Sequence, residues 1–300
     1  MSKKVLIGGG TGLVGRRLTQ LLIDKGYEVS LLSRSTKNEA TSIIQWNVDA
    51  MQLDHTKIEP FDFIINLTGA GIVDKSWTEE RKKVILDSRV QSTQLLAESI
   101  QKNQRKPKAF VSASAVGFYG FITTDKIFTE DDAAGNDFLA DTCVLWEQSM
   151  QQVEKLGIPV SKIRIGIVLS KEGGALKEMA KPMKYYLGAP LGSGKQYMPW
   201  IHIDDLCELF IHSIENRLEG AYNAGAPHQV NNKMFIHILA RVLKKPLWLP
   251  HVPSFLLKII LGTRALLVLE GSRVSPVKIQ QTGFIFRFKE LELALRDIYK

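Results

Sequence analysis

Gly9, Gly12 and Gly15 stand three residues apart near the head of the chain, in Gly-Gly-Thr-Gly-Leu-Val-Gly (9–15). Glycines at this spacing suit dinucleotide binding. The first permits a sharp turn, the second lets backbone approach a pyrophosphate, and the third lets a helix pack closely on a strand. Thr11, Leu13 and Val14 fill the turn and the first helical positions. The free N–H groups and dipole of a helix start there favour an anion. Ser114, Tyr119 and His202 are the side chains that could exchange or polarise a proton beside such a cofactor. Ser114 follows an apolar run, so its hydroxyl either polarises a substrate carbonyl or satisfies backbone at a strand end. Tyr119 lies close behind it. His202, in Trp-Ile-His-Ile-Asp-Asp (200–205), could donate a proton near neutral pH or bond to backbone or to Asp205.

Elements must place these groups at one edge. Val5-Leu6-Ile7 is a strand entering the glycine turn. Val14, Leu18, Leu21 and Leu22 recur at helical spacing after it, and Gly26 closes that helix. Strands are predicted at 27–32, 43–46, 61–67, 109–112, 160–169 and 221–223, and helices at 78–101, 138–155, 204–216 and 231–244. This alternation predicts an α/β fold, a Rossmann-type doubly wound parallel sheet with a smaller C-terminal α+β substrate domain. Residues 1–170 are expected to form the cofactor-binding domain, with returns to it around 200–225, and 171–300 mainly the second domain.

Bulk properties exclude several classes. The chain has 300 residues, 45% hydrophobic and 23% charged, as in ordinary globular proteins. Its formal charge of +8 comes from scattered cations, not a basic stripe interleaved with aromatics, so no nucleic-acid partner is expected. Two distant cysteines, Cys143 and Cys207, fit a reducing, cytoplasmic setting. His55, His212, His228, His237 and His251 are dispersed, and no metal site is expected. The most apolar late stretch, 252–269, is interrupted by Lys258, Gly262 and Arg264. It reads as a buried or partly exposed amphipathic helix and not a membrane span. Glu130, Asp131 and Asp132 read as a solvated loop or helix cap.

The second strand ends in Ser33-Arg34, and no acid occupies the slot about 20 residues past the last glycine, where an NAD-specific sheet holds one. A carboxylate there repels a 2′-phosphate, whereas Arg34 can pair with it. The cofactor expected is therefore NADP.

With these residues in place, the chain resembles the extended short-chain dehydrogenase/reductase superfamily. Within it, the chain is similar to a group of NAD(P)-dependent epimerases that carry their own C-terminal domain of unknown function. The resemblance spans nearly the whole chain. It rests on 9–15, Ile-Asn-Leu-Thr-Gly (65–69), Asp-Ser-Arg-Val (87–90), Ser-Ala-Ser-Ala-Val-Gly-Phe-Tyr-Gly (112–120) and Trp146-Glu147. Arg-Ile-Gly-Ile-Val-Leu (164–169), Pro-Leu-Gly-Ser-Gly (190–194), 200–205 and Gly-Phe-Ile-Phe (283–286) complete it. It implies an oxidoreductase or epimerase acting on a small carbonyl or sugar-like substrate. It also implies that Leu67, Thr68 and Gly69 line the ribose and pyrophosphate, that Arg89 reaches the cofactor, and that Val168 lies near the nicotinamide.

The superfamily normally pairs a Ser or Thr with Tyr-x-x-x-Lys, the Lys holding the ribose and lowering the Tyr pKa. Counted back from Glu147, those slots hold Leu139 and Cys143, and no Tyr-x-x-x-Lys occurs in 130–155. Asp141 shares that helix as a conceivable substitute. A non-catalytic NADP(H)-binding module is the alternative this leaves open. Met179, Met183, Tyr185, Tyr186, Tyr197, Met198 and Trp200 either line an apolar substrate pocket or form the second domain's core. A monomer or homodimer is expected.

Overall fold

The computed structural model describes residues 2–35 and 41–300. Eight strands form one sheet: β1 (Lys4–Gly8), β2 (Glu28–Ser33), β3 (Ser42–Asn47), β4 (Gln52–Leu53), β5 (Phe63–Asn66), β6 (Ala109–Ala115), β7 (Val160–Ile165) and β8 (Gly220–Ala224). Their order is β8-β7-β6-β5-β1-β2-β3-β4, parallel throughout except for the β3–β4 edge pair. Both faces of a parallel sheet are covered by helices, so its inner strands are apolar on both sides. Val5, Leu6, Ile7, Ile64 and Ile65 accordingly have no exposed surface. The chain runs outward from β1 through β2 and β3, then crosses back to β5. That reversal opens the crevice at the carboxyl ends of β1 and β5 in which doubly wound sheets bind ligands.

Helix α1 (Leu13–Asp24) starts at Gly12, which offers no side-chain cap. Helix α2 (Glu79–Lys102) is capped by Thr78, which accepts from Arg81 N at 3.2 Å, and carries Glu79 and Glu80 in its first turn. In α3 (Phe138–Ser149) the Asp137 carboxylate accepts from Leu139 N and Ala140 N. The predicted helix 138–155 is interrupted at Met150, and a short helix, Gln151–Glu154, follows. His202 caps α4 (Ile203–Glu215).

The predicted strand 160–169 also divides. At Gly166 any side chain would overlap the carbonyl of Pro199. The chain turns out of the main sheet there, and Ile167–Leu169 pairs instead with Trp200–His202. This begins a second core, where Leu169, Met183, Met198, Trp200, Phe235 and Leu295 are buried together. Asn232–Val242 and Leu291–Ile298 are among the helices supplying it. The single amphipathic helix anticipated over 252–269 is instead α5 (Ser254–Leu261), a 3-10 turn and Leu266–Leu269, broken at Gly262 with φ 59°. Among the described residues no helix is long and apolar enough to cross a membrane.

Candidate functional site

Backbone shape carries the glycine loop. Gly9 has φ 75°, and a Cβ on it would meet Leu67 O at 2.7 Å. A Cβ on Gly15 would stand 2.5 Å from Gly10 Cα and Gly9 O, so only glycine lets α1 close onto the loop. Gly12 N donates to Gly9 O at 3.1 Å, and Gly12 itself is exposed. Among the described residues only Gly9 O lies within 4 Å of a Cβ placed on Gly12, so the start of α1 is left as an open cradle of backbone N–H groups. Thr11 is exposed at its rim, and Arg16 Nη1 donates to Thr11 O at 2.7 Å. Leu13 and Val14 pack on the main core, and Leu13 also lies under Gly173 and Gly174.

The opposite wall is the loop after β5. Asn66 Oδ1 accepts from Thr68 N at 3.1 Å, while its Nδ2 donates to Ser92 and Thr93 on α2. Ser88 Oγ accepts from Ala70 N at 2.9 Å. Arg89 Nη1 donates to Ala70 O and Ile85 O, and its guanidinium lies beside Gly69 and 5.1 Å from the Trp146 ring. Burial lowers the Arg89 pKa, and no carboxylate pairs with it among the described residues. Thr68 Oγ1 is buried without a partner. Among the described residues, a hydroxyl without a partner, an uncapped helix start and a guanidinium with no carboxylate beside it fit an oxygen-rich anion such as a dinucleotide pyrophosphate and ribose. Asn66 and Ser88 escaped assignment as tethers, although both lie inside the motifs quoted above. Arg16 had no motif signal at all.

Arg34 is exposed just past the end of β2, beyond half-buried Ser33. Val168 pairs with Ile201 and packs against the main core beside the loop that covers Leu13.

The proposed proton-handling groups fall elsewhere. Ser114 is 2% exposed, and its Oγ donates to Glu147 Oε1 at 2.7 Å. Glu147 in turn forms a bidentate pair with Arg164, both contacts being 2.9 Å. Arg164 Nη1 donates to the Tyr119 oxygen at 3.0 Å, and that hydroxyl lies 2.8 Å from Asn223 Oδ1 and 2.9 Å from Thr129 O. Burial pushes the Tyr119 pKa up. This closed network joins β6, α3, β7 and β8 and leaves neither Ser114 nor Tyr119 open to a ligand.

His202 is also interior. Its Nδ1 accepts from Asp204 N at 3.1 Å, its ring packs 4.0 Å from the Phe288 ring, and Nε2 stands 3.6 Å from Asp297. Asp205 does not touch it. That carboxylate accepts from Arg287 N and Phe288 N, both at 2.9 Å. Glu130 accepts from Asn223 N, and Asp132 binds Thr129 N and Lys126, while Asp131 is exposed. Asp141 faces solvent. Among the described residues no cluster could hold a metal.

Burial, more than the charges near it, depresses the His202 pKa. The unfolded chain therefore takes up a proton that the native state refuses as pH falls below about 6.5, and stability is lost in that direction. His202→Asn keeps an acceptor at the helix cap and removes this titration. Urea midpoints should fall less for the variant than for wild type between pH 7.5 and 5.5. Asp205, whose pKa burial raises, acts oppositely but equally in both proteins. Identical falls would show that His202 is not the group responsible.

The Tyr and Lys slots are apolar. Leu139 packs with Trp77, Ile85, Ile72, Phe121, Phe138 and Leu267. Cys143 donates to Ala115 O at 3.7 Å, and its thiol is pushed up to about 12 by burial and the nearby Glu147 charge. Trp77, Phe121 and Phe138 form an aromatic cluster beside Leu139. Of the residues expected to line an apolar pocket or to form a second core, Met183, Met198 and Trp200 lie in the second core, while Tyr185 and Tyr186 are 75% and 50% exposed.

The sheet order and the glycine cradle define a Rossmann-type dinucleotide-binding protein. Residues 5–144 match the NAD dependent epimerase/dehydratase family, and 252–298 match a domain of unknown function, DUF1731. The chain belongs to that epimerase family. It is 38% identical to the epimerase family protein YfhF of Bacillus subtilis over 299 residues, 98% of this chain and 97% of the relative. It is 37% identical to the Staphylococcus aureus epimerase family protein SAR0825, covering 99% of both. The crystal structure of the human epimerase family protein SDR39U1 with NADPH superposes with a TM-score of 0.88 at 34% identity, covering 98% of each chain.

Proposed function

We propose that the chain binds NADP(H) along the carboxyl edge of the sheet and presents the nicotinamide end to a small apolar carbonyl compound. The observation that carries the cofactor choice is the exposed Arg34 past β2, with no acid in the neighbouring slot. The NADPH in the human relative supports the same choice. In this reading Gly9, Gly12 and Gly15 shape the cradle, and the N–H groups from Leu13 onward meet the pyrophosphate. Leu67, Thr68, Gly69 and Arg89 hold the ribose side, and Val168 flanks the nicotinamide. A bound nicotinamide supplies hydride. Trp77, Phe138 and Leu139 seat an apolar body. A reduced oxygen would draw its proton from solvent, because Ser114 and Tyr119 are committed to Glu147 and Arg164.

That same commitment favours a second reading, an NADP(H)-binding module whose cofactor state governs a partner. NADPH oxidation across aldehydes, ketones and quinones separates the two: turnover with apolar acceptors supports the reductase, and none with any acceptor supports the module.

The cofactor choice has its own test. Arg34→Ala removes charge-assisted bonds to a 2′-phosphate and should weaken NADPH by about 10–100-fold while leaving NADH within about twofold. Equal losses in fluorescence titrations would remove Arg34 from recognition of the phosphate.

A further inference from the structure

Helix α5 wears its apolar side outward. Phe255, Leu256, Ile259 and Ile260 occupy one stripe at i, i+1, i+4 and i+5, and are 66%, 39%, 75% and 65% exposed. Only Leu257 of this helix is buried. A run of large exposed apolar groups on one face marks an interaction surface. Trp248, 65% exposed, lies one heptad before Phe255. The segment around it continues the surface: Lys245 Nζ sits 4.2 Å over the Tyr186 ring, and Leu247 packs by Gly188 next to exposed Leu187.

Charge identifies the occupant. From Gly220 to Leu269 the chain has no Asp or Glu, but it carries Lys233, Arg241, Lys244, Lys245, Lys258 and Arg264. Arg241 pairs with Glu292, and the other five have no carboxylate within ion-pair range among the described residues. A two-fold pairing of this face with a second copy would set Lys258 of the helix and Lys245 of the adjoining segment against themselves. An anionic bilayer instead offers hydrocarbon for the stripe, a headgroup layer for Trp248 and the tyrosines, and negative charge for the lysines.

We propose that α5, with Trp248 and its flanking lysines, docks the protein onto an anionic lipid surface, lying in the interface without crossing it. The full chain should co-sediment with vesicles of 70% phosphatidylcholine and 30% phosphatidylglycerol. Binding should be at least about fivefold greater than to pure phosphatidylcholine, and should weaken as salt rises. Trp46, Trp77, Trp146 and Trp200 are buried, so a vesicle-induced blue shift of tryptophan emission reports Trp248. The double variant Phe255→Ser, Ile259→Ser changes only exposed groups, so it should keep the wild-type unfolding temperature while losing about tenfold in vesicle binding. Lys258→Glu should reduce the preference for anionic vesicles. Several results would overturn the proposal: no vesicle binding, equal binding to both compositions, or unchanged binding by the double variant. A dimer seen by light scattering and dissolved by the same variant would also overturn it, and would assign the face to a second copy.

Discussion

Glu147→Ala is expected to lower the unfolding temperature by roughly 5–8 °C, the largest stability effect foreseen for a single side chain here. Glu147 and Arg164 side chains are 11% and 5% exposed and joined bidentately. Removing one partner of a buried pair leaves the other charge uncompensated and costs about 3–5 kcal/mol. At about 2.1 cal/mol/K of unfolding entropy per residue, that gives the stated shift for a chain of this length. The variant also strips Ser114 of its acceptor. Pairing it with Arg164→Met should recover part of the loss, because no buried charge then remains. Differential scanning calorimetry decides. A shift below about 2 °C would mean that water reaches Arg164 and that the network is not closed.

The largest effect on binding is expected at Gly15. A Cβ there would stand 2.5 Å from backbone atoms of Gly9 and Gly10, which cannot move aside as a flexible side chain can. Gly15→Val should therefore push α1 off the loop and weaken NADPH by about 100-fold or more, roughly 2.7 kcal/mol. Overpacking would also destabilise the fold by about 1–3 kcal/mol. Gly12→Ala separates the two effects. Its Cβ meets only Gly9 O, at 3.3 Å. That variant should melt like wild type yet lose about tenfold in NADPH affinity, because the methyl stands where the pyrophosphate must approach. Unchanged affinity in both variants would place the cofactor away from this loop.

The sheet was legible because its strands are short apolar runs separated by helical periodicity, and Gly9, Gly12 and Gly15 announce the turn in residue type alone. The elements that broke early broke for tertiary reasons. Gly166 ends a strand because Pro199 from a later segment crowds it, and no local pattern encodes that approach. The proposed cofactor side rests on Ser33-Arg34, a local signal, and on the 65–69 motif, which carries meaning only through the family resemblance. The opposite side was not legible locally. Ser114, Tyr119 and His202 have the right chemistry in sequence, but partners 33 and 104 positions away, Glu147 for Ser114 and Asn223 for Tyr119, hydrogen-bond two of them in the fold. The apolar cluster that joins Trp77, Leu139 and Leu267 comes from three distant segments, so spacing could not gather it. That Leu139 and Cys143 fill the Tyr and Lys slots was visible at once, and the structure adds what surrounds them.

The claim on which the rest stands is that this epimerase-family chain holds NADP(H) in the glycine cradle with Arg34 at the 2′-phosphate. Isothermal titration of the wild-type protein with NADPH and with NADH tests it most directly. The account predicts one site per chain and at least about tenfold tighter binding of NADPH, a gap of roughly 1.4 kcal/mol. Equal or tighter binding of NADH, or no binding of either, would contradict it.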